Sequence, residues 1–207
     1  MKTLVNRIAL FLIGGAAMAG SYSLAQTATP NPSAGSSDAA FEQLADQYFD
    51  QVYFKFSPTQ GTLDGFHQYD TQLEDYSKSG VDREIAALES YEKKFEKVRP
   101  ETLSLTCQGD LELVLGNIRS SLLTLQSIRG WEKNPDNYSS GITSSAFSLM
   151  ERTFASPDDR LRSLIARERQ MPAALQDARQ NLQNPPRIYT EIALEQLPGL
   201  IEFFQSD

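Results

Sequence analysis

The chain has 207 residues, of which 40% are hydrophobic and 22% charged, and its formal net charge is −8. This length and composition suit one domain with a sizeable core. The excess of acids argues against nucleic-acid binding, which needs clustered Lys and Arg against phosphate. The single cysteine, Cys107, excludes an internal disulfide and a cysteine-based zinc site.

The first 25 residues are typical of a secretory signal peptide. A positive start with Lys2 and Arg7 precedes an apolar run that is too short for a good membrane span. Small residues then close the segment, which predicts cleavage between Ala25 and Gln26. The alternative is an uncleaved N-terminal anchor. We expect an exported protein, periplasmic or secreted, with no stable membrane anchor after cleavage and a mature formal net charge of −10.

Residues 26–37 are rich in Thr, Pro, Ser, Gly and Ala, which predicts a flexible leader. The helical domain is then predicted over 38–207. Its first helix is expected to begin at Ser37 or Asp38, because either side chain can cap a helix.

Apolar residues recur at helical spacing along the whole domain, and no stretch alternates as a strand would. One segment carries many Lys and Glu on its polar side, which we interpret as a solvated face that includes a favourable pair of Glu89 with Lys93. The sequence therefore predicts an all-α fold, an antiparallel helical bundle with short connections and no sheet. The apolar stripes run through Phe41, Tyr48 and Val52, then Val81, Leu88 and Phe95, then Leu111, Ile118 and Leu122, and finally Leu161, Leu164, Ile165, Met171, Leu175, Ala178 and Leu182.

The segment 66–79 lacks a helical period and predicts a loop packed by its aromatic side chains. His67, the sole histidine, is expected to be a hydrogen-bonded loop residue, since a zinc site needs several His or Cys ligands. The acids in and beside this loop lack the spacing and the glycine of a calcium loop, so they are expected to be solvated. These acids are Asp64, Asp70, Glu74 and Asp75.

A turn at 129–138 divides the helices into an earlier and a later set. Gly130 and Pro135 stop one helix before the next begins. We predict that Trp131, the only tryptophan, is buried at the junction; the alternative is an exposed cleft or partner residue. With Asn134 and Tyr138 it forms the candidate set of core or cleft anchors.

Four groups of motifs cover nearly all of the mature chain in order. They are FEQLADQYF at 41–49 with SPT at 57–59, Gly61 and Gly65; YD at 69–70 with LEDYS at 73–77; WEKNP at 131–135 with Tyr138; and RL at 160–161 through MP at 171–172, ARQNL at 178–182 and PP at 185–186. In these motifs the chain resembles the bacterial family called domain of unknown function (DUF) 885.

The resemblance implies an exported, mostly helical protein considerably longer than this chain and similar to helical zinc metallopeptidases. Their His-Glu-x-x-His motif lies downstream of the part matched here, so zinc is expected only in that region. With His67 as its sole histidine, this chain takes over no catalytic, cofactor-binding or metal residue from the family.

Three functional hypotheses follow. The first is the N-terminal helical part of such a metallopeptidase-like protein, which would be inactive alone and would partner the missing C-terminal catalytic region and a peptide substrate. The second is a self-sufficient periplasmic helical binding or interaction module. The third is an acid–base hydrolase that uses Asp46 and Asp50, one helical turn apart.

The final helical segment has apolar residues on every side, among them Leu200, Ile201, Phe203 and Phe204. Helices of this kind are covered by further structure. We therefore expect an incomplete chain that exposes an apolar patch around Phe203 and Phe204.

Overall fold

A computed structural model describes residues 34–206, with side chains from 35 to 205. Over this range the fold is all-α, a bundle of antiparallel helices without a strand. The helices are α1 (Ala34–Tyr48), α2 (Phe54–Phe56), α3 (Pro58–Leu63), α4 (Lys78–Phe95), α5 (Leu105–Leu122), α6 (Gly130–Lys133), α7 (Asp136–Glu151), α8 (Pro157–Glu168), α9 (Met171–Asn181) and α10 (Arg187–Ser206).

The first helix set is built from α1, α4 and α5 around an aromatic core. The Tyr48 ring lies edge-on to the ring of Phe95, with centroids 5.8 Å apart, and Phe41 packs on Phe95 from two turns earlier in α1. Each large ring buries far more apolar area than an aliphatic side chain, so this core supplies much of the stability of the set. It contains Phe41, Ala45, Tyr48, Phe49, Val52, Phe54, Tyr69, Leu88, Tyr91, Phe95, Leu103, Cys107, Leu111, Val114, Ile118 and Leu122.

A π-helical segment, Phe49–Tyr53, continues α1, and a second one, Leu123–Ile128, continues α5. A π turn holds an extra residue, so it rotates the side chains that follow relative to a regular helix. In the first segment this places both Phe49 and Val52 in the core.

A smaller second core joins α7, α9 and the 66–79 loop. It contains Leu73, Ile142, Ala146, Met171 and Ala174, and Phe203 of α10 packs against it. Phe203 also lies 6.4 Å from Phe147, measured between ring centroids. The helices before and after the 129–138 turn therefore have separate hydrophobic centres, the second of which also includes Leu73 from before the turn.

Helix starts follow the predicted chemistry in α8 but not in α1. The Ser156 hydroxyl accepts a hydrogen bond from the backbone N–H of Asp159, at the N-terminus that Pro157 opens. Helix α1 already begins at Ala34, so the predicted start at Ser37 or Asp38 is wrong and the predicted leader overlaps a helix. Asp38 is not its cap, since its carboxylate instead accepts the N–H of Ser104 at 2.9 Å.

The predicted stripe of the later helices is wrong in part. Leu161, Ile165 and Leu175 are exposed, although they were expected in the core. Arg167 and Asn181 are buried instead, on the same side as the core residues Met171 and Ala174. Hydrogen-bonding partners inside the fold outweigh the hydropathy of single residues here.

No helix in the part of the chain that the structure describes is long and apolar enough to cross a membrane. The predicted signal peptide, with its cleavage site between Ala25 and Gln26, lies outside the described residues.

Candidate functional site

The turn between the two helix sets is held by side chains that satisfy helix carbonyls. The chain reverses at Arg129, which has a left-handed backbone with φ 54°. The indole N–H of Trp131 donates to the carbonyl of Leu125 at 3.0 Å, and the ammonium of Lys133 donates to the carbonyl of Ile128 at 2.7 Å. The last carbonyls of a helix lack partners within the helix, so these bonds fix where it ends.

Trp131 lies at the junction of the two sets, as predicted, but it is half-buried rather than buried. The Arg129 guanidinium lies 5.6 Å from the indole ring on its open side. One edge of the ring is therefore fixed by its hydrogen bond to the backbone, while part of its surface is accessible.

Asn134 has a local structural role. Its side-chain oxygen accepts the backbone N–H of Asp136 at 3.2 Å, and its amide donates to the side chain of Asn137 at 3.0 Å. Such a bond two residues ahead stabilises the turn that opens a helix. Asn134 therefore stabilises the turn that leads into α7.

Tyr138 is the buried member of the predicted set. Its hydroxyl donates to the carbonyl of Trp131 and accepts from the amide of Asn181 at 3.2 Å. The same amide donates to the carbonyl of Tyr76 at 2.6 Å. Burial raises the pKa of Tyr138, so the phenol stays neutral and keeps its donor. Tyr138 thus ties the turn to α9 and to the 66–79 loop.

The most unusual buried group is the guanidinium of Arg167, whose surface is 0% exposed. It donates to the carbonyl of Ser145 at 2.7 Å, to the hydroxyl of Ser148 at 3.3 Å and to the hydroxyl of Thr62 at 2.6 Å. Burial lowers the pKa of Arg167, while the nearby acids Glu74 and Asp70 raise it. Among the described residues its Nε has no hydrogen-bond partner.

Thr62 connects this guanidinium to a buried carboxylate. Its hydroxyl accepts from Arg167 and donates to Asp70 at 2.7 Å, so one hydroxyl lies between the two charges. The other oxygen of Asp70 lies 3.2 Å from Nδ1 of His67, whose ring stacks on Phe154 at 3.9 Å between centroids. Polar groups from α3, the 66–79 loop and α7 thus compensate the buried positive charge of Arg167 on α8.

The prediction that the loop acids are solvated is therefore wrong for Asp70. It is also wrong for Glu74, which is half-buried, because its carboxylate accepts both the backbone N–H and the hydroxyl of Thr59 at the start of α3. A carboxylate at a helix N-terminus is favoured by the unpaired N–H groups there. The prediction that His67 is a hydrogen-bonded loop residue is consistent with its contact to Asp70.

Sequence reasoning missed Arg167 because it assigned the buried side of α8 and α9 from the positions of the large apolar residues. A second heptad-like spacing is present on α8 and α9, and its members form the side that faces inward. Two arginines and one asparagine on this spacing mark a polar core, which hydropathy alone does not reveal. The residues are Arg160, Leu164, Arg167, Met171, Ala174, Ala178 and Asn181.

Glu84 of α4 is a second unusual carboxylate. It is half-buried and has no hydrogen bond or ion pair with any described residue. Burial raises its pKa to about 7. Its charge in turn adds to the effect of burial and of Tyr53 in raising the pKa of Tyr48. The group loses hydration without gaining a partner.

These groups do not form an arrangement for acid–base or metal chemistry. Asp50 is exposed, and its carboxylate accepts the hydroxyl of Tyr69 at 3.0 Å. Within residues 34–206 no group of three or more His, Cys, Asp or Glu side chains could hold a metal ion. Cys107 is buried in the first core, away from His67.

The fold and the site define an all-helical protein whose polar networks join two helix sets. A family model described as "Bacterial protein of unknown function (DUF885)" matches residues 58–207, so the chain belongs to that family. No curated protein matches the chain.

A solved structure has a similar fold. It is described as that of "a putative lipoprotein of unknown function from Shewanella oneidensis". The two chains are 26% identical with a TM-score of 0.70, and the match covers 79% of this chain and 30% of that one. The chain therefore spans about a third of the length of the protein that it matches.

Proposed function

We propose that the chain is the N-terminal helical part of an exported, metallopeptidase-like protein, in which it forms scaffold and one wall of a substrate cleft. Alone it is inactive. The observation that carries the proposal is the outward-facing apolar surface of α8, α9 and α10. Its exposed residues are Leu161, Ile165, Leu175, Ile188, Ile192, Leu194, Leu197, Ile201 and Phe204.

Helix α10 contacts the rest of the domain mainly through α7, with Phe203 against the second core. Other positions of α10 retain large apolar residues, including Leu194 at 62% exposed and Ile188 at 57%. Many exposed large apolar residues on neighbouring helices are typical of an interaction surface in a folded protein. The similar solved protein is more than three times longer than the matched part, which supports a covering region in the same chain.

A zinc site does not fit the residues described here. His67 is directed to Asp70 and Phe154, and the thiol of Cys107 lies in the aromatic core. Any zinc ligands and the residue that activates water therefore belong to the catalytic region that we place downstream, together with the peptide substrate.

Export rests on two supports. The basic start, the apolar run and the small residues before Gln26 are typical of a signal peptide. The similar solved structure is described as a putative lipoprotein, which is an envelope protein. We place this chain in the periplasm or outside the cell.

A second candidate is a self-sufficient periplasmic helical module for binding or interaction. The observation that favours it is that both hydrophobic cores are closed by residues of this chain. Helix sets with their own cores can fold without a further domain.

The two candidates differ in what the isolated mature chain does. As scaffold it should bind a hydrophobic dye, self-associate in sedimentation, and hydrolyse no peptide with or without zinc. Replacing Leu194 and Leu197 by Gln should reduce dye binding. The matched change Leu105→Gln should not, because Leu105 is 80% exposed at the start of α5, on another part of the surface.

A strictly monomeric chain with a sharp melt and no dye binding would favour the independent module. Zinc-dependent hydrolysis of peptides by the same sample would overturn both candidates.

A further inference from the structure

The charges of α4 are separated onto two sides of the helix. Near its C-terminal end the acids face α5, where Arg119 donates to Glu92 at 2.8 Å and to Glu96, just beyond the helix, at 2.9 Å. Glu89 accepts from the amide of Gln126 at 2.7 Å. The pair of Glu89 with a lysine one turn on, expected from the sequence, is not formed in the structure. These carboxylates are engaged on the α5 side.

Three lysines at the end of this helix and just beyond it remain exposed on another side: Lys93, Lys94 and Lys97. None of them forms an ion pair with a residue that the structure describes. The ammonium of Lys94 lies 3.8 Å from the centre of the Tyr91 ring, a contact that holds one of the charges in place.

Two open cavities lie beside these lysines, and we call them together the furrow. One cavity of about 420 Å³ is lined by Ala86, Glu89, Ser90, Lys93, Lys94 and Lys97. It shares Ser90 with a second cavity of about 570 Å³, which extends to the π-helical segment at Val52 and to Lys55. Four lysines and two carboxylates, Asp50 and Glu89, line the two cavities together. Both carboxylates already accept a hydrogen bond, Asp50 from Tyr69 and Glu89 from Gln126, so the uncompensated charge is positive.

We propose that this furrow binds an extended acidic peptide. Carboxylates along the peptide would pair with these three lysines and with Lys55. The Ser90 hydroxyl and the Gln51 amide would bond to the peptide backbone. The amide oxygen of Gln51 already accepts from Tyr91, which orients the group. This inference goes beyond the scaffold role and does not depend on it.

The shape and the charge favour a peptide over an anionic membrane. A bilayer presents a flat surface and would meet the net charge of −10 that the mature chain carries. A single peptide can enter the furrow. There its interaction with protein charges that lie farther away than the Debye length, about 8 Å at physiological salt, is largely screened. The local lysines then dominate.

The test is fluorescence anisotropy of a labelled octapeptide of glutamate with the full mature protein. Replacing Lys93, Lys94 and Lys97 together by Gln should weaken binding about tenfold, the sum expected for three exposed ion pairs. The control replaces Arg169, Arg179 and Arg187 by Gln, which changes the net charge equally at exposed positions of α9, α10 and the turn before α9. It should leave the affinity nearly unchanged.

An octapeptide of glutamine should not bind, and added salt should weaken the glutamate peptide. Equal losses of affinity for the glutamate peptide in the two triple variants would overturn the proposal, as would no binding of that peptide to the natural chain. Binding only to vesicles of phosphatidylglycerol would also overturn it and would indicate a membrane surface. Circular dichroism of both variants excludes unfolding as the cause. Since no hydrolysis is measured, a negative result leaves the scaffold role untouched.

Discussion

Replacing Glu84 by Gln should stabilise the protein at neutral and alkaline pH. The carboxylate is half-buried, and it forms no hydrogen bond or ion pair with a described residue. Its pKa rises from 4.5 to about 7 because burial disfavours the charged form. The folded state therefore binds its proton more tightly than the unfolded state does.

The sign follows from this difference. The stability that the protonated form supports is complete below pH 4.5 and is lost as the pH rises towards 7. At about 1.36 kcal/mol per pKa unit, the free energy of unfolding falls by about 3 kcal/mol in full, of which about 2.5 kcal/mol is lost between pH 5 and pH 8. Gln keeps the shape of the side chain but has no proton to lose, so the variant avoids this loss.

Urea unfolding of both proteins at pH 5 and pH 8 measures the effect. The stability of Glu84→Gln relative to the natural chain should increase by about 2.5 kcal/mol between the two pH values. Other titrating groups are shared by the two proteins, so they cancel in this comparison. Glu112→Gln, at an exposed position of α5, is the control and should give a flat difference. Parallel pH profiles for Glu84→Gln and the natural chain would refute the reasoning.

Three further outcomes are expected. Arg167→Met should cost about 3–5 kcal/mol in urea unfolding, because it leaves the buried oxygens of Ser145 and Thr62 without their donor and the buried Asp70 without the nearby positive charge. Arg169→Met, at an exposed position, should cost little, and equal losses would contradict the burial argument. Trp131→Phe should lower the free energy of unfolding by only about 1 kcal/mol, since it removes the hydrogen bond from the indole to Leu125 but keeps an aromatic ring. In the natural chain the tryptophan emission should lie between those of buried and free indole. A freely quenched, fully red-shifted emission would contradict the packing. Mass spectrometry of the exported protein should give an N-terminus near Gln26, and an intact Met1 would contradict export by cleavage.

The helices before the turn could be predicted well from the sequence, and the later ones less well. In α4 the apolar residues Val81, Leu88 and Phe95 are buried as their spacing predicts. In α8 the leucine spacing predicted the wrong side of the helix as buried. The buried side carries Arg167, whose hydrogen-bond acceptors lie on α3 and α7 and cannot be inferred from the local sequence. Partners that lie 105 positions apart in the chain become visible only in three dimensions.

The candidate site shows the same limit. The sequence located the turn through Gly130, Pro135 and the lone tryptophan, and Tyr138, one of the proposed anchors, is buried there. It did not predict that Asn181 would join Tyr138 to the backbone of Tyr76, since that contact depends on how α9 folds back. Solvation of the loop acids was predicted from their residue type alone, whereas burial is set by the tertiary structure.

The hydroxyl of Thr62 has a consequence for how the protein folds. Contacts between α4 and α5 are close in sequence and can form early, while the bond from Arg167 to Thr62 must close a long loop. During synthesis, α3 is therefore available well before its partner on α8 is present. We expect the guanidinium to lose its water in one of the last steps, so the later helices should depend on the earlier ones as a template, whereas the reverse dependence should be weak.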